Sequence, residues 1–318
     1  MIAAPSFDAI QAARARIAGR VRSTPVLSSD FLDEELGARL FFKCENLQVT
    51  GAFKARGAFN AVLNLPPQLA PRGVVTHSSG NHGAALALAA RTRGIPAYVV
   101  APRTTPASKQ QNMRRYGAKL QLCEPTLAAR QAAAQQIVAE TGATLIHPFD
   151  NTDVMAGQGT VALELLEQVP DLDTIVCPIG GGGLISGVAV AAHGVDARIQ
   201  IAGAEPIGAD DAWRSRMTGV ITPVVQPHSL ADGLLATIAP STFEVIRTQV
   251  AAVGTVTEED IVAGMRRIWE ELKIIIEPSS AVPVAALFNG ALPVSTRRIG
   301  VVLTGGNVDL QKLPWNQG

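Results

Sequence analysis

Short apolar runs alternate with alanine-rich stretches of helical length along most of this chain. Runs dense in Val, Ile, Leu and Phe fall at residues 39–44, 73–76, 97–101, 119–123, 144–147, 174–179, 198–204 and 298–303. Each has the length of a single strand. Between them, residues 83–93, 108–116, 127–141, 154–168 and 184–193 have the length and composition of helices. Strands alternating with helices predict an α/β fold with parallel-rich sheets covered by helices on both faces. Ligands of such folds collect beyond the carboxyl ends of the strands.

At 318 residues the chain exceeds the size at which a single core usually divides, so two lobes are expected. Lys plus Arg equals Asp plus Glu at 27 each. That balance gives no global field for nucleic acid or an anionic membrane and points to a small-molecule partner. Cys44, Cys123 and Cys177 lie in or beside apolar runs without C-x-x-C spacing, which suits buried thiols in a reducing compartment. The N-terminus reaches Asp8 and Arg14 without an apolar leader, and no uncharged stretch has bilayer length. A soluble, cytoplasmic protein is expected.

Gly180, Gly181, Gly182 and Gly183 follow the apolar run 174–179 and precede a helical stretch. A strand, glycine loop and helix in that order expose backbone N–H groups at the positive end of a helix, a cradle for phosphate. A tight turn where segments approach closely is the plainer alternative. The dinucleotide fingerprint fails in both frames, because Ile185 or Ser186 stands where glycine or alanine is needed. A P-loop is excluded, since no lysine lies between Lys119 and Lys273.

Three further segments carry candidate chemistry. Lys54 sits in Thr50-Gly51-Ala52-Phe53-Lys54-Ala55-Arg56-Gly57-Ala58. A lysine near a phosphate cradle can be desolvated, lose its proton more readily and form a Schiff base, although most lysines serve only solubility. His77-Ser78-Ser79-Gly80-Asn81-His82-Gly83 joins a strand to a helix. It can be an ordinary capped turn, or its N–H groups can grip a carboxylate. Leu303-Thr304-Gly305-Gly306-Asn307 closes another strand in a glycine turn.

In this order, and with His147-Pro148-Phe149-Asp150 and Ala156-Gly157-Gln158-Gly159-Thr160 between them, these segments resemble the pyridoxal-phosphate enzymes of the tryptophan-synthase-β type (fold type II). Within that group the chain is similar to the serine/threonine dehydratase and serine racemase family, over nearly its whole length. The resemblance implies a two-lobed fold, with residues 1–66 and 152–318 forming a large cofactor-binding domain and residues 67–151 a small mobile one. Lys54 would hold pyridoxal phosphate as a Schiff base, Phe53 would pack against the ring, and Gly180 to Gly183 would bind the phosphate. Asn81 would contact the ring hydroxyl and Thr304 the pyridine nitrogen. A neutral hydroxyl there makes the ring a weaker electron sink than a carboxylate partner would. The substrate carboxylate would dock on Ser78, Ser79, Gly80, Asn81 and His82.

The implied reaction is elimination of water from L-threonine or L-serine, giving a 2-oxo acid and ammonia. Ser79 matches the place where racemase-like members put a hydroxyl, so serine racemisation is the alternative. Phe149 is bulkier and less polar than the racemase residue there. Arg130 matches a substrate-side arginine and keeps 3-hydroxyaspartate among the substrates; its plainer reading is a solvated helix face. Glu205, Ala209 and Asp211 match a divalent cation site (Mg²⁺ or Ca²⁺) of metal-dependent members, while acidic loop residues are more often merely solvated. A homodimer is implied by resemblance alone. Cysteine-synthase-like members differ, since Ala55 and His82 stand where they carry aspartate and threonine. A non-catalytic binding protein on the same fold would have no need of Lys54.

Overall fold

The computed structural model describes residues 2–78, 80–292 and 297–316. Among them, ten strands form two sheets: β1 (Val26–Leu27), β2 (Arg39–Cys44), β3 (Val74–Thr76), β4 (Ala97–Pro102), β5 (Lys119–Cys123), β6 (Thr144–Leu145), β7 (Thr174–Pro178), β8 (Gln200–Pro206), β9 (Ala252–Val256) and β10 (Arg298–Leu303). The larger sheet has the order β1-β2-β10-β7-β8-β9 and the smaller β5-β4-β3-β6. Every pairing is parallel except β1 with β2. The expected α/β architecture with parallel-rich sheets is the one observed. The short β1 and the glycine-containing β9 are strands that apolar content does not flag. The run 144–147 contributes only Thr144–Leu145, and Pro148, with no N–H to donate, follows just beyond.

Alternation along the strands sends neighbouring residues to opposite faces. Val301 stands in register with Val176, and Val176 with Ala202. All three pack with Met265, Val282 and Leu287 from helices Glu258–Leu272 and Pro278–Phe288. Ile175 and Ile201, one position back, pack on the other face with Leu165, Ile185 and Ile246. In the smaller sheet Val74 faces helices Lys54–Asn64 and Asn81–Arg93, while Val75 and Val100 face helix Leu127–Thr141. No helix among the described residues is long and apolar enough to cross a membrane.

Two devices place the helix that begins at Lys54. It crosses helix Thr152–Gln168 at a pair of glycines, where a Cβ on Gly157 would lie 2.5 Å from the Cα of Gly57. Only glycine allows backbones that close. The second device is a buried charge cluster. Arg56 donates to both Glu45 oxygens (2.8 and 2.7 Å) and to both Glu164 oxygens (3.1 Å each). Lys43 donates to Glu164 (2.6 Å), Gln168 (2.7 Å) and the Thr24 carbonyl (2.7 Å). Two residues apart on a helix, Lys54 and Arg56 point to different sides. Arg56 therefore locks the first turn into the core while Lys54 faces away.

Removing one partner of a buried pair strands the other charge, which costs about 3–5 kcal/mol. Glu45→Ala is expected to lower stability by that amount in urea unfolding. A loss below about 1 kcal/mol would contradict the anchoring role assigned to the cluster.

Candidate active site

A cavity of about 720 Å³ lies between the two sheets. Its lining comes from the carboxyl ends of strands: His77 and Ser78 follow β3, Gly180 to Gly183 follow β7, and Thr304 follows β10. Lys54, Phe53, Asn81, His82, Arg130, Phe149 and Glu277 complete the walls used below. The cavity thus brings together every cofactor-side residue expected from the sequence, together with Ser78, Gly80 and Arg130. Ser79 lies outside the described residues.

Lys54 Nζ donates to the Pro148 carbonyl at 3.0 Å and sits 5.0 Å from the Phe53 ring centre. Burial lowers its pKa to about 8, and the charge of Glu277 opposes that shift only in part. An appreciable fraction is therefore a neutral amine near pH 7, able to attack a carbonyl or accept a proton.

The glycine loop ends in helix Gly183–Val195, whose start has no side-chain cap. Gly182 has φ +84°, and a Cβ there would lie 2.7 Å from Thr242. A Cβ on Gly181 would collide with the Phe149 ring. The loop is bare because its surroundings admit no side chains, and its uncapped N–H groups suit an anion such as phosphate. Helix Asn81–Arg93 is also without a side-chain cap. Thr304 is buried, with its hydroxyl 3.1 Å from Ser280 Oγ. Lysine, anion cradle and buried hydroxyl share one cavity, so the residues fit pyridoxal phosphate.

Three histidines gather beside the lysine. His147 Nδ1 accepts from the Asp150 N–H at 2.9 Å, and burial with His77 nearby lowers its pKa to about 4. His77 stacks edge-on against it at 5.0 Å, its pKa lowered by burial and by Arg130. His82 is buried. Burial and Lys54 drive its pKa well down, against the Ile146 backbone. All three are neutral at physiological pH.

Arg130 lines the same cavity from helix Leu127–Thr141. Its Nε is buried without a hydrogen-bond partner, and no described carboxylate pairs with the side chain. Glu277 is a site residue that the sequence motifs do not reveal. Burial and Asp232 push its pKa up to about 7, with Lys109 and the Asn81 amide opposing. Its only local signal is an acid placed between Ile274-Ile275-Ile276 and Pro278.

The expected cation residues lie at the end of β8, outside the cavity lining. Glu205, Ala209 and Asp211 are all buried. Glu205 accepts from the N–H of Ala212 (3.1 Å) and Trp213 (2.8 Å), and Asp211 from that of Ile238 (2.8 Å). Burial and the Asp211 charge hold the Glu205 carboxyl well above its usual range, and burial lifts Asp211 to about 6. Asp210 has Arg214 at 2.6 Å, whereas neither Glu205 nor Asp211 has a cationic side chain among the described residues. No group of three or more His, Cys, Asp or Glu side chains gathers there. A divalent ion would therefore rely on these two carboxylates and a backbone carbonyl.

Residues 17–305 match the family described as "Pyridoxal-phosphate dependent enzyme", and the chain belongs to it. It is 46% identical over 312 residues to the β-hydroxyaspartate dehydratase of Paracoccus denitrificans, covering 98% of this chain and 99% of that protein. It is 47% identical to a serine racemase of Oryza sativa subsp. indica, covering 96% and 92% of the two chains. The solved structure of maize serine racemase superposes with a TM-score of 0.96 at 46% identity, covering 98% of this chain and 96% of that one.

The lowered pKa of Lys54 has a direct readout. Reconstitution of the cofactor-free protein with pyridoxal phosphate is expected to accelerate with pH through a midpoint of about 8, because only the deprotonated amine attacks. A midpoint near the ordinary lysine value of about 10.4 would contradict the assignment.

Proposed function

We propose that this protein dehydrates a β-hydroxy-α-amino acid to a 2-oxo acid and ammonia, with 3-hydroxyaspartate preferred and L-threonine and L-serine as weaker substrates. The observation that carries the dicarboxylic preference is Arg130, a guanidinium in the cavity wall with no carboxylate paired to it among the described residues. A cation so placed favours a ligand that brings a second negative group.

When bound, pyridoxal phosphate supplies the electron sink that acidifies the substrate's Cα–H. Gly180 to Gly183 and the start of helix Gly183–Val195 would hold its phosphate, and Thr304 would serve its ring nitrogen. Lys54 would be the lysine that holds it, and its amine, with a pKa of about 8, is suited to take the Cα proton. The N–H groups at the start of helix Asn81–Arg93, with Ser78, would hold the α-carboxylate. Arg130 holds the distal one. The Cβ–O bond would break as the hydroxyl takes up the proton that Lys54 removed from Cα and departs as water. The released enamine hydrolyses to the products.

Serine racemisation is a second reading, favoured by Ser79 and by the racemases among the relatives. It requires a proton returned to the opposite face of Cα. A divalent cation at Glu205, Asp211 and the Ala209 carbonyl belongs to the same proposal, supported by two buried carboxylates that pair with no cationic side chain among the described residues.

Arg130→Ala is expected to lower kcat/KM for 3-hydroxyaspartate about 100-fold, the loss of a charge-assisted contact of roughly 3 kcal/mol, while serine turnover changes less than about threefold. Equal losses on both substrates would argue against Arg130 reading the side chain. For the cation, Mg²⁺ or Ca²⁺ at about 100 times its Kd is expected to stabilise the wild type by about 2.7 kcal/mol. Asp211→Ala should show no such gain in thermal unfolding. The same stabilisation in the variant would place the ion elsewhere.

A further inference from the structure

The Asn81 amide is held on both sides by groups from other parts of the chain. Its Oδ1 accepts from Asn307 Nδ2 at 2.8 Å, and its Nδ2 donates to Glu277 Oε1 at 2.8 Å. Asn307 Nδ2 also donates to the Thr50 carbonyl at 2.8 Å. That backbone carbonyl can only accept, so it dictates which way the Asn307 amide faces. Asn307 in turn dictates the orientation of Asn81. One N–H of Asn81 then goes to Glu277 and leaves the other for the cavity, which Asn81 lines.

The surrounding backbone is shaped to admit this chain of bonds. Thr50 adopts φ +65°, unusual for a residue with a branched side chain. A Cβ on Gly51 would stand 2.6 Å from Asn307 Oδ1, and one on Gly305 would stand 2.5 Å from Glu277 Oε1. The Gly306 N–H bonds the Gly51 carbonyl at 3.0 Å, and the Glu277 N–H bonds the Gly305 carbonyl at 2.9 Å. Asn81 belongs to the small-sheet side, following β3; Asn307 follows β10 of the large sheet. The bonds therefore cross the cavity wall from one sheet to the other.

We infer that Glu277 and Asn307 are positioning residues that clamp the Asn81 amide so that it presents a donor, never an acceptor, to the ring hydroxyl of the cofactor. The inference rests on the reading of Lys54 as the Schiff-base lysine and of Asn81 as the neighbour of that hydroxyl. A flipped amide would turn its oxygen toward an anionic ring oxygen. The clamp excludes that arrangement and so favours the ionised hydroxyl. Glu277 serves as an acceptor for Asn81, so a neutral amide of the same shape can replace it.

The test is the visible spectrum and cofactor affinity of pyridoxal-phosphate-loaded protein carrying Asn307→Ala, Glu277→Ala or Glu277→Gln, with Lys54→Ala as control. Both alanine variants are expected to shift the spectrum from the long-wavelength band of the ionised hydroxyl to the short-wavelength band of the neutral one. Each should weaken cofactor binding about tenfold, the worth of one hydrogen bond. Glu277→Gln should match the wild type. Alanine variants with wild-type spectrum and affinity overturn the clamp, and so does a Glu277→Gln protein that behaves like Glu277→Ala. If Glu277→Ala does not fold, Asn307→Ala decides alone. A Schiff-base band that survives Lys54→Ala overturns the Schiff-base reading first and the clamp with it.

Discussion

On the proposed function Lys54 has to react near neutral pH, and that requires an amine withdrawn from water with no carboxylate bonded to it. The structure meets both conditions at once. Its hydrogen-bond partner is the neutral Pro148 carbonyl, and burial outweighs the attraction of Glu277. Two residues on, Arg56 takes up Glu45 and Glu164 on the other side of the helix. A salt bridge at Lys54 would hold it protonated and unreactive; the same bridge at Arg56 fixes the helix that carries it.

The cavity follows from this requirement. It opens at the carboxyl ends of β3, β7 and β10, where parallel strands deliver loops and helix starts to one place. Two of those helices begin without side-chain caps, at Asn81 and Gly183. They leave N–H groups for anions where a capping side chain would otherwise take them. The histidines beside them are neutral, which keeps the positive character of the site on Lys54, Arg130 and the helix ends.

Much of this was legible along the chain. The runs 39–44, 119–123 and 298–303 coincide with β2, β5 and β10, because apolar strands next to glycine turns have few alternatives. The glycine tetrad and the Lys54 segment announced themselves by composition and by their resemblance to a known family, and one cavity contains them both. Glu277 was hidden for a physical reason. It reaches Asn81 across 196 positions, and a lone acid before a proline carries no periodicity. The cluster of Lys43, Glu45, Arg56 and Glu164 was equally silent, since each charge looks like surface until the fold buries it. Asn307 was visible as the end of a glycine turn, but its hold on Asn81 depends on the meeting of two sheets.

The most direct test of the account is 2-oxo acid formation by the pyridoxal-phosphate-loaded protein supplied with 3-hydroxyaspartate, L-threonine or L-serine, with Lys54→Ala measured alongside. The account predicts product from all three, fastest from 3-hydroxyaspartate, and none from the variant. No product from any β-hydroxy amino acid, or equal product from the Lys54→Ala protein, would contradict it.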